Sequence, residues 1–311
     1  MNERQRQKII AGLGKRDLLT DLKFRVDGET VCDGYVRQAV SYQVTDTERI
    51  NAYLLLPDNK KEKNPAIVAI HQHAVWFNIG KKEPCGLLGE EEFAYGVDLV
   101  KRGYVVLCPD LLCFEERRYG KYFEEKYNRS CEFEKIVNQY LLAEGKTMCG
   151  KYLYDLVAAV DVLCSLDYVD TSRIGTIGHS TGGQCAIWLA WYDRRIQTCV
   201  CSCGFAKVKD LRKKWIGHNL AMIFPGMAKV CDYDELIAAI APRNFLFTCG
   251  NYDPTFLMPS CREAEKYCGK KYAEMNCANN FRAVFFEGWH WLKDDVKQKV
   301  YAFIDEKMSG D

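Results

Sequence analysis

Apolar residues along this chain fall into two rhythms. Short unbroken runs, Ala66–Ile70 (AIVAI) and Tyr104–Cys108 (YVVLC), are bounded by proline and charged loops. Runs of that length fit strands buried on both faces. Tyr35–Val44 instead alternates, and Arg49–Leu56 follows it across a polar turn, so both read as strands. Ile174–Ile177, Gln197–Cys203, Pro242–Gly250 and Phe281–Phe286 add further strands. Helical spacing appears from about Glu90 to Lys101, over Lys151–Leu166 (KYLYDLVAAVDVLCSL), over Gln184–Tyr192 and over Asp294–Met308. Strands alternating with helices predict an α/β chain, with a mostly parallel sheet covered by helices on both faces.

Three segments depart from the alternation. Residues 1–23 read as a polar helical arm with a thin apolar stripe of Ile9, Ile10, Leu13, Leu18 and Leu19. The arm is suited to pack on the body or on a second copy, which makes a homodimer an option. Residues 111–150, charged and aromatic, and residues 204–240 read as cap or insert segments. No repeat, low-complexity tract or linker divides the chain, so residues 1–311 are expected to form one domain with insertions.

The totals narrow the class. The chain has 311 residues, 48% of them hydrophobic and 27% charged, enough for a packed core. Lys and Arg number 43 against 42 Asp and Glu, a formal net charge of +1. That balance offers no electrostatic footprint for nucleic acid. No apolar run approaches membrane-spanning length and the N-terminus lacks a signal-peptide pattern, so a cytoplasmic protein without a membrane partner is expected. The 16 cysteines include no CxxC pair. They read as small buried hydrophobes, with Cys199, Cys201 and Cys203 sharing one strand face and poorly placed to wrap a metal. His71 and His73 stand two residues apart without a third ligand at metal spacing, and no metal is expected.

The chemistry centres on Gly178-His179-Ser180-Thr181-Gly182, a G-x-S-x-G elbow between a strand and a helix. A serine hydroxyl becomes a useful nucleophile only when a base takes its proton. The chain has five histidines, His71, His73, His179, His218 and His290. His290 lies just past the last strand, and a parallel sheet gathers its functional loops at the C-terminal strand ends. Asp253 follows the preceding strand and is the candidate to orient the His290 ring. Asp232 and Asp234 are rivals within the insert, and Glu287 is too close to His290 in sequence. An Asx-turn before Pro254 is the structural alternative for Asp253. An oxyanion would be met by the Thr181 N–H and, from the loop after Ala66–Ile70, by the His73 N–H.

Five blocks carry a family resemblance: Ala66–Ala74, Tyr104–Asp110, Gly178–Gly183, Ala241–Asp253 and Glu287–His290. Through them the chain resembles α/β-hydrolases of the dienelactone hydrolase and acetyl xylan esterase-like type, in order over roughly residues 35–305. The resemblance implies Ser180 as nucleophile, His290 as general base then acid, and Asp253 as orienter. It differs in having serine where dienelactone hydrolase carries cysteine, which points toward ordinary carboxylic esters, and Gln72 where glycine is usual. The expected function is a serine hydrolase cleaving a small-molecule carboxylic ester, with no cofactor. A peptidase or lactonase on the same residues, or a non-catalytic binding scaffold, are the alternatives. For substrate contacts, Trp76, Phe77, Trp215, His218, Trp289 and Trp291 are candidates for an aromatic pocket. Arg117 or Arg118 is a candidate to pair with a substrate carboxylate, the structural alternative being exposed charges paired with Glu115 and Glu116.

Overall fold

A computed structural model describes residues 1–17 and 21–308. Nine strands form one sheet: β1 (Arg25–Cys32), β2 (Tyr35–Gln43), β3 (Arg49–Pro57), β4 (Asn64–Ile70), β5 (Val105–Pro109), β6 (Val169–His179), β7 (Ile196–Ser202), β8 (Asn244–Gly250) and β9 (Phe281–Phe286). Their spatial order is β1-β2-β3-β5-β4-β6-β7-β8-β9. The first three strands pair antiparallel, as does β3 with β5. From β5 to β9 every pairing is parallel. The parallel part is the part whose sequence reads as unbroken apolar runs, because its strands are covered on both faces. β1, polar in sequence and almost wholly exposed, is the edge.

The helices divide between the faces. On one side lie α1 (Glu3–Leu13), α4 (Met148–Ser165), α5 (Thr181–Tyr192), α7 (Tyr233–Ala238) and α8 (Met258–Glu274). On the other lie α2 (Tyr95–Lys101) and α9 (Asp294–Met308). β4 illustrates the partition, with Ala66, Val68 and Ile70 in the first core and Ile67 and Ala69 in the second. α3 (Glu132–Ala143) and α6 (Val208–Lys214) belong to the two non-alternating segments.

Several expectations are sharpened. α1 packs on the same chain: Ile9 and Leu13 are buried in the first core, and the Arg6 guanidinium lies 4.6 Å from the Trp191 ring. Leu18 and Leu19 of the expected stripe lie outside the described residues. α4 starts at Met148, before the apolar periodicity becomes clear, because the Thr147 hydroxyl accepts from the Gly150 N–H and caps the helix. α8 carries no obvious sequence signal, since its buried stripe is Ser260, Cys261, Ala264, Cys268 and Tyr272 rather than leucine and isoleucine.

Arg117 is not a substrate contact. It is buried, with its guanidinium paired to Glu48 and, at 2.8 Å, to Asp155, while also donating at 3.0 Å to the Asp110 carbonyl. Its five donors suit several acceptors at once, and this network ties residues 111–118 to the turn just before β3 and to α4. Arg118 is likewise occupied, donating to the carbonyls of Glu115 and Tyr122 and to Asn128 Oδ1. Removing one partner of a buried ion pair strands the others without solvent. Arg117→Ala is therefore expected to lose about 3 kcal/mol of stability in chemical denaturation. An unchanged midpoint would contradict this structural role.

Candidate active site

The C-terminal ends of β4, β6, β7, β8 and β9 carry the polar residues of interest. β6 ends at His179, and Ser180 turns the chain into α5 with φ 54° and ψ −121°. A non-glycine residue with positive φ is strained, and such strain gathers at functional sites. The turn is closed by the Ser180 N–H donating to the Ser202 carbonyl at 2.8 Å and the Gln184 N–H to the Ser180 carbonyl at 3.0 Å. Two glycines permit the close packing. A methyl at Gly178 would overlap the Gly182 backbone, and one at Gly182 would overlap the Ile70 carbonyl. Ser180 is largely buried, yet its hydroxyl oxygen retains contact with solvent and is free of other hydrogen bonds among the described residues.

His290 and Asp253 meet as expected. His290 Nδ1 and Asp253 Oδ2 are 2.7 Å apart, with the carboxylate fully enclosed and the imidazole 25% exposed. A carboxylate accepts, so Nδ1 carries the proton and Nε2 is left with its lone pair. The Asx-turn alternative is also realised. Asp253 Oδ1 accepts from the Thr255 N–H at 2.8 Å and the Phe256 N–H at 3.0 Å, which leaves Oδ2 for the histidine. The rivals are otherwise employed: Asp232 caps α7 in a capping box with Glu235. The His290 ring centroid lies 4.6 Å from that of His179 and 5.6 Å from that of Phe256. No hydrogen bond joins His290 to Ser180 in this state, and catalytic contacts of this kind often tighten only when substrate is present.

The loop after β4 is held from several sides. His71 Nε2 accepts from the Leu111 N–H at 3.1 Å, while Nδ1 lies 2.7 Å from the Gln72 carbonyl. Burial pushes His71 down to about 3, so it is a neutral structural link. His73 Nδ1 accepts from the Val75 N–H at 3.0 Å, and Nε2 lies 3.2 Å from both Glu134 oxygens. The His73 side chain is thus engaged with α3, leaving only its backbone N–H for an oxyanion. Ala74 and Val75 both have positive φ, 45° and 50°. Trp76 is half-buried on this loop, with the Arg129 guanidinium 4.0 Å above its ring. Gln72, at the position where glycine was expected, donates through its backbone N–H and its side-chain amide to Glu83, at 3.3 and 2.9 Å.

The other pocket candidates separate. Trp289 is 54% exposed at the rim, 6.0 Å from the Tyr252 ring, and Glu287 accepts from both Tyr252 and Asn251. His218 is close to the site: its ring is 4.5 Å from that of Phe256, and burial, then the charges of His290 and His73, push it down to about 4. Trp215 is not in a pocket. It is 92% exposed in the left-handed position that ends α6. Phe77 is core, stacked on Phe114, and Trp291 packs against the second core.

Sequence reasoning missed several supporting residues. Asn219 Nδ2 reaches Thr181 Oγ1 at 2.9 Å and Gln184 Oε1 at 3.1 Å, joining residues 204–240 to the elbow. His179 Nδ1 lies 2.9 Å from Ser202 Oγ, which in turn accepts from Thr248 at 3.1 Å. Glu83 and Glu134 come from segments without any local motif. Cys203 also departs from expectation. β7 ends at Ser202, Cys203 takes φ 42°, and its side chain joins the second core while Cys199 and Cys201 stay in the first. A cavity of about 460 Å³ adjoins the site, lined by His218, Asn219, Leu142, Ile223, Phe224 and Met227 among others.

This sheet order, with a serine elbow and a histidine–carboxylate pair at the C-terminal strand ends, defines an α/β-hydrolase fold. Residues 50–224 match the dienelactone hydrolase family, and the chain belongs to that family. By class it is a carboxylic ester hydrolase. Among curated relatives, YtaP of Bacillus subtilis (strain 168), provisionally named a hydrolase, is 28% identical over 269 residues, covering 83% of this chain and 84% of its own. A protein of Bacteroides fragilis NCTC 9343, provisionally named an acetyl xylan esterase, superposes with a TM-score of 0.77 at 16% identity, over 97% of this chain and 81% of its own. A glucuronoyl esterase from Solibacter usitatus does so at 0.71 and 15%, over 99% and 93%.

Glu83 provides a test of how the β4 loop is held. Burial pushes its carboxyl from an ordinary 4.5 to about 7, outweighing the hydrogen bonds from Gln72. The folded state therefore keeps a proton that the unfolded chain gives up. The associated stability is present below pH 4.5 and is lost as pH rises to about 7. At about 1.4 kcal/mol per pH unit the loss is about 3 kcal/mol. Glu83→Gln, which resembles the protonated acid, is expected to match the parent near pH 5 and to exceed it at pH 8. Parallel stability curves for the two proteins would refute this.

Proposed function

We propose that this chain hydrolyses a carboxylic ester through an acyl-enzyme formed on Ser180. The observation that carries the reading is the 2.7 Å His290–Asp253 contact beside a serine held at φ 54°. In this scheme Ser180 Oγ attacks the ester carbonyl while His290 Nε2 takes its proton. The Thr181 and His73 N–H groups stabilise the developing oxyanion, each donor worth roughly 3 kcal/mol. His290 then returns the proton to the departing alcohol, the acyl-enzyme forms, and the cycle repeats with water. Asp253 keeps the ring in the tautomer that leaves Nε2 free. The scheme consumes only ester and water, and it asks for no cofactor.

For the substrate, we favour an ester on a carbohydrate. Tyr252 and Trp289 present exposed rings beside Asp253 and His290, as a platform on which a sugar could stack. The structural neighbours named as acetyl xylan and glucuronoyl esterases support that choice. His218 and the adjoining apolar cavity are suited to the less polar part of such a substrate.

Ser180→Ala is expected to abolish hydrolysis of a p-nitrophenyl ester and labelling by a fluorophosphonate while the protein stays folded. Turnover retained in that variant would rule out Ser180. Asp253→Asn should lower kcat by up to about 10⁴-fold, through the wrong tautomer. On a panel of acetylated sugars and simple alkyl acetates, Trp289→Ala should raise KM for the sugars alone. An equal effect on both groups would remove the stacking role.

A further inference from the structure

The turn that carries Cys203 away from its strand neighbours brings it to a place where it meets two residues of the candidate site. The Cys203 sulfur, a carboxylate oxygen of Asp253 and a ring nitrogen of His290 all lie within 4.8 Å of one another. The nitrogen facing Asp253 is Nδ1. The sulfur's polar neighbours are weak, Thr248 Oγ1 at 3.7 Å, the Trp291 carbonyl at 3.9 Å and the Gly250 backbone N–H, and burial followed by the Asp253 charge keeps the thiol protonated until a metal displaces the proton. Its position is fixed by the backbone, since the Cys203 N–H donates to the Thr248 carbonyl at 3.1 Å. Asp253 is fixed too, by the two N–H groups on its other oxygen. One soft sulfur, one imidazole and one carboxylate on three different strand ends form a donor set suited to zinc.

We propose that Cys203, Asp253 and His290 form an inhibitory site for a soft divalent metal ion, with zinc as the fitting case. Zinc holds thiolate at about 2.3 Å and nitrogen or oxygen at about 2.0–2.2 Å, so its tetrahedral ligands stand about 3.4–3.6 Å apart. The sulfur, within 4.8 Å of both partners, has to close to about 3.5 Å, and Nδ1 and Oδ2 have to widen from 2.7 Å. Asp253 and Cys203 are enclosed while the imidazole is 25% exposed, so entry of the ion requires the ring to move aside. A fourth position stays open for water. On binding, Cys203 loses its proton to solvent and a sulfur–zinc bond replaces the S–H bond. The proton on Nδ1 moves to Nε2 as the metal takes Nδ1. His290 then presents an N–H donor where the reaction needs an acceptor, and Ser180 is left without its base.

Metal binding itself is independent of the proposed ester hydrolysis, whereas inhibition rests on it, so the two are measured separately. Cobalt(II) serves as the spectroscopic probe in the Ser180→Ala protein. A sulfur-to-cobalt charge-transfer band is expected there, absent after a second substitution, Cys203→Ala, and weakened by Asp253→Asn. In the parent enzyme zinc should inhibit p-nitrophenyl acetate hydrolysis, with EDTA restoring it. Cys203→Ala should hydrolyse the ester normally without metal and need at least about 100-fold more zinc, since even outer-shell changes at zinc sites cost roughly 10–100-fold in affinity. Equal zinc sensitivity in Cys203→Ala, or a cobalt band that survives both substitutions, would overturn the site. If Cys203→Ala misfolds, Cys203→Ser supplies the same comparison, because its hydroxyl keeps the volume but not the soft ligand. If Ser180→Ala still hydrolyses the ester, the nucleophile assignment fails while the cobalt result stands on its own.

Discussion

The arrangement depends on one close approach of backbone to backbone. The start of α5 lies against the end of β4 with no room for a side chain at Gly182, and Gly178 faces it with no room either. That contact fixes the helix over the sheet, and the serine between them bears the resulting strain. A non-glycine residue at φ 54° costs energy of order 1–3 kcal/mol and persists only where its surroundings hold it there. Here they do: the Ser202 carbonyl holds the Ser180 N–H, and a helix almost entirely buried begins immediately afterwards. Core packing on one side of the sheet is thereby converted into a fixed direction for one hydroxyl.

The parallel run from β5 to β9 then determines what can meet that hydroxyl. Every strand of this run ends on the same edge, so residues distant in sequence become neighbours: Asp253 and His290 are 37 residues apart and in direct contact. Those strands alone would leave the loop after β4 loose. The segments that break the alternation hold it in place. Glu134 in α3 takes the His73 ring, Glu83 takes Gln72, and Asn219 reaches Thr181 from the opposite side. Behind them, Lys81 bonds Asp110 at 2.6 Å and Glu115 at 2.8 Å, with Glu116 completing the cluster. The inserts act as a frame around the loop as well as a cover.

What could be read from the sequence follows the same division. The buried strands, the elbow and the Asp253–His290 pair were legible because each rests on a local pattern: an apolar run, a glycine spacing, a polar residue just past a strand. Residues recognised only through tertiary contact were not. Arg117 sits in a charged stretch that reads as surface, and only the approach of Glu48 and Asp155 explains its burial. Trp215 suggested a pocket by its type, yet a left-handed cap turns it into solvent. Cys203 continued a strict alternation until a single positive φ sent it to the other face. α8 was invisible for a compositional reason, because serine, alanine and cysteine form its inner stripe.

All sixteen cysteines are free, and most are enclosed in the two cores. In the native state that enclosure keeps oxidants away. Heat or denaturant releases the thiols together, and in air a chain held open cross-links at random over minutes to hours, after which it cannot reassemble the sheet. The fold then survives as long as it stays shut, and in the absence of a reducing agent its thermal lifetime becomes a matter of opening rate rather than of equilibrium.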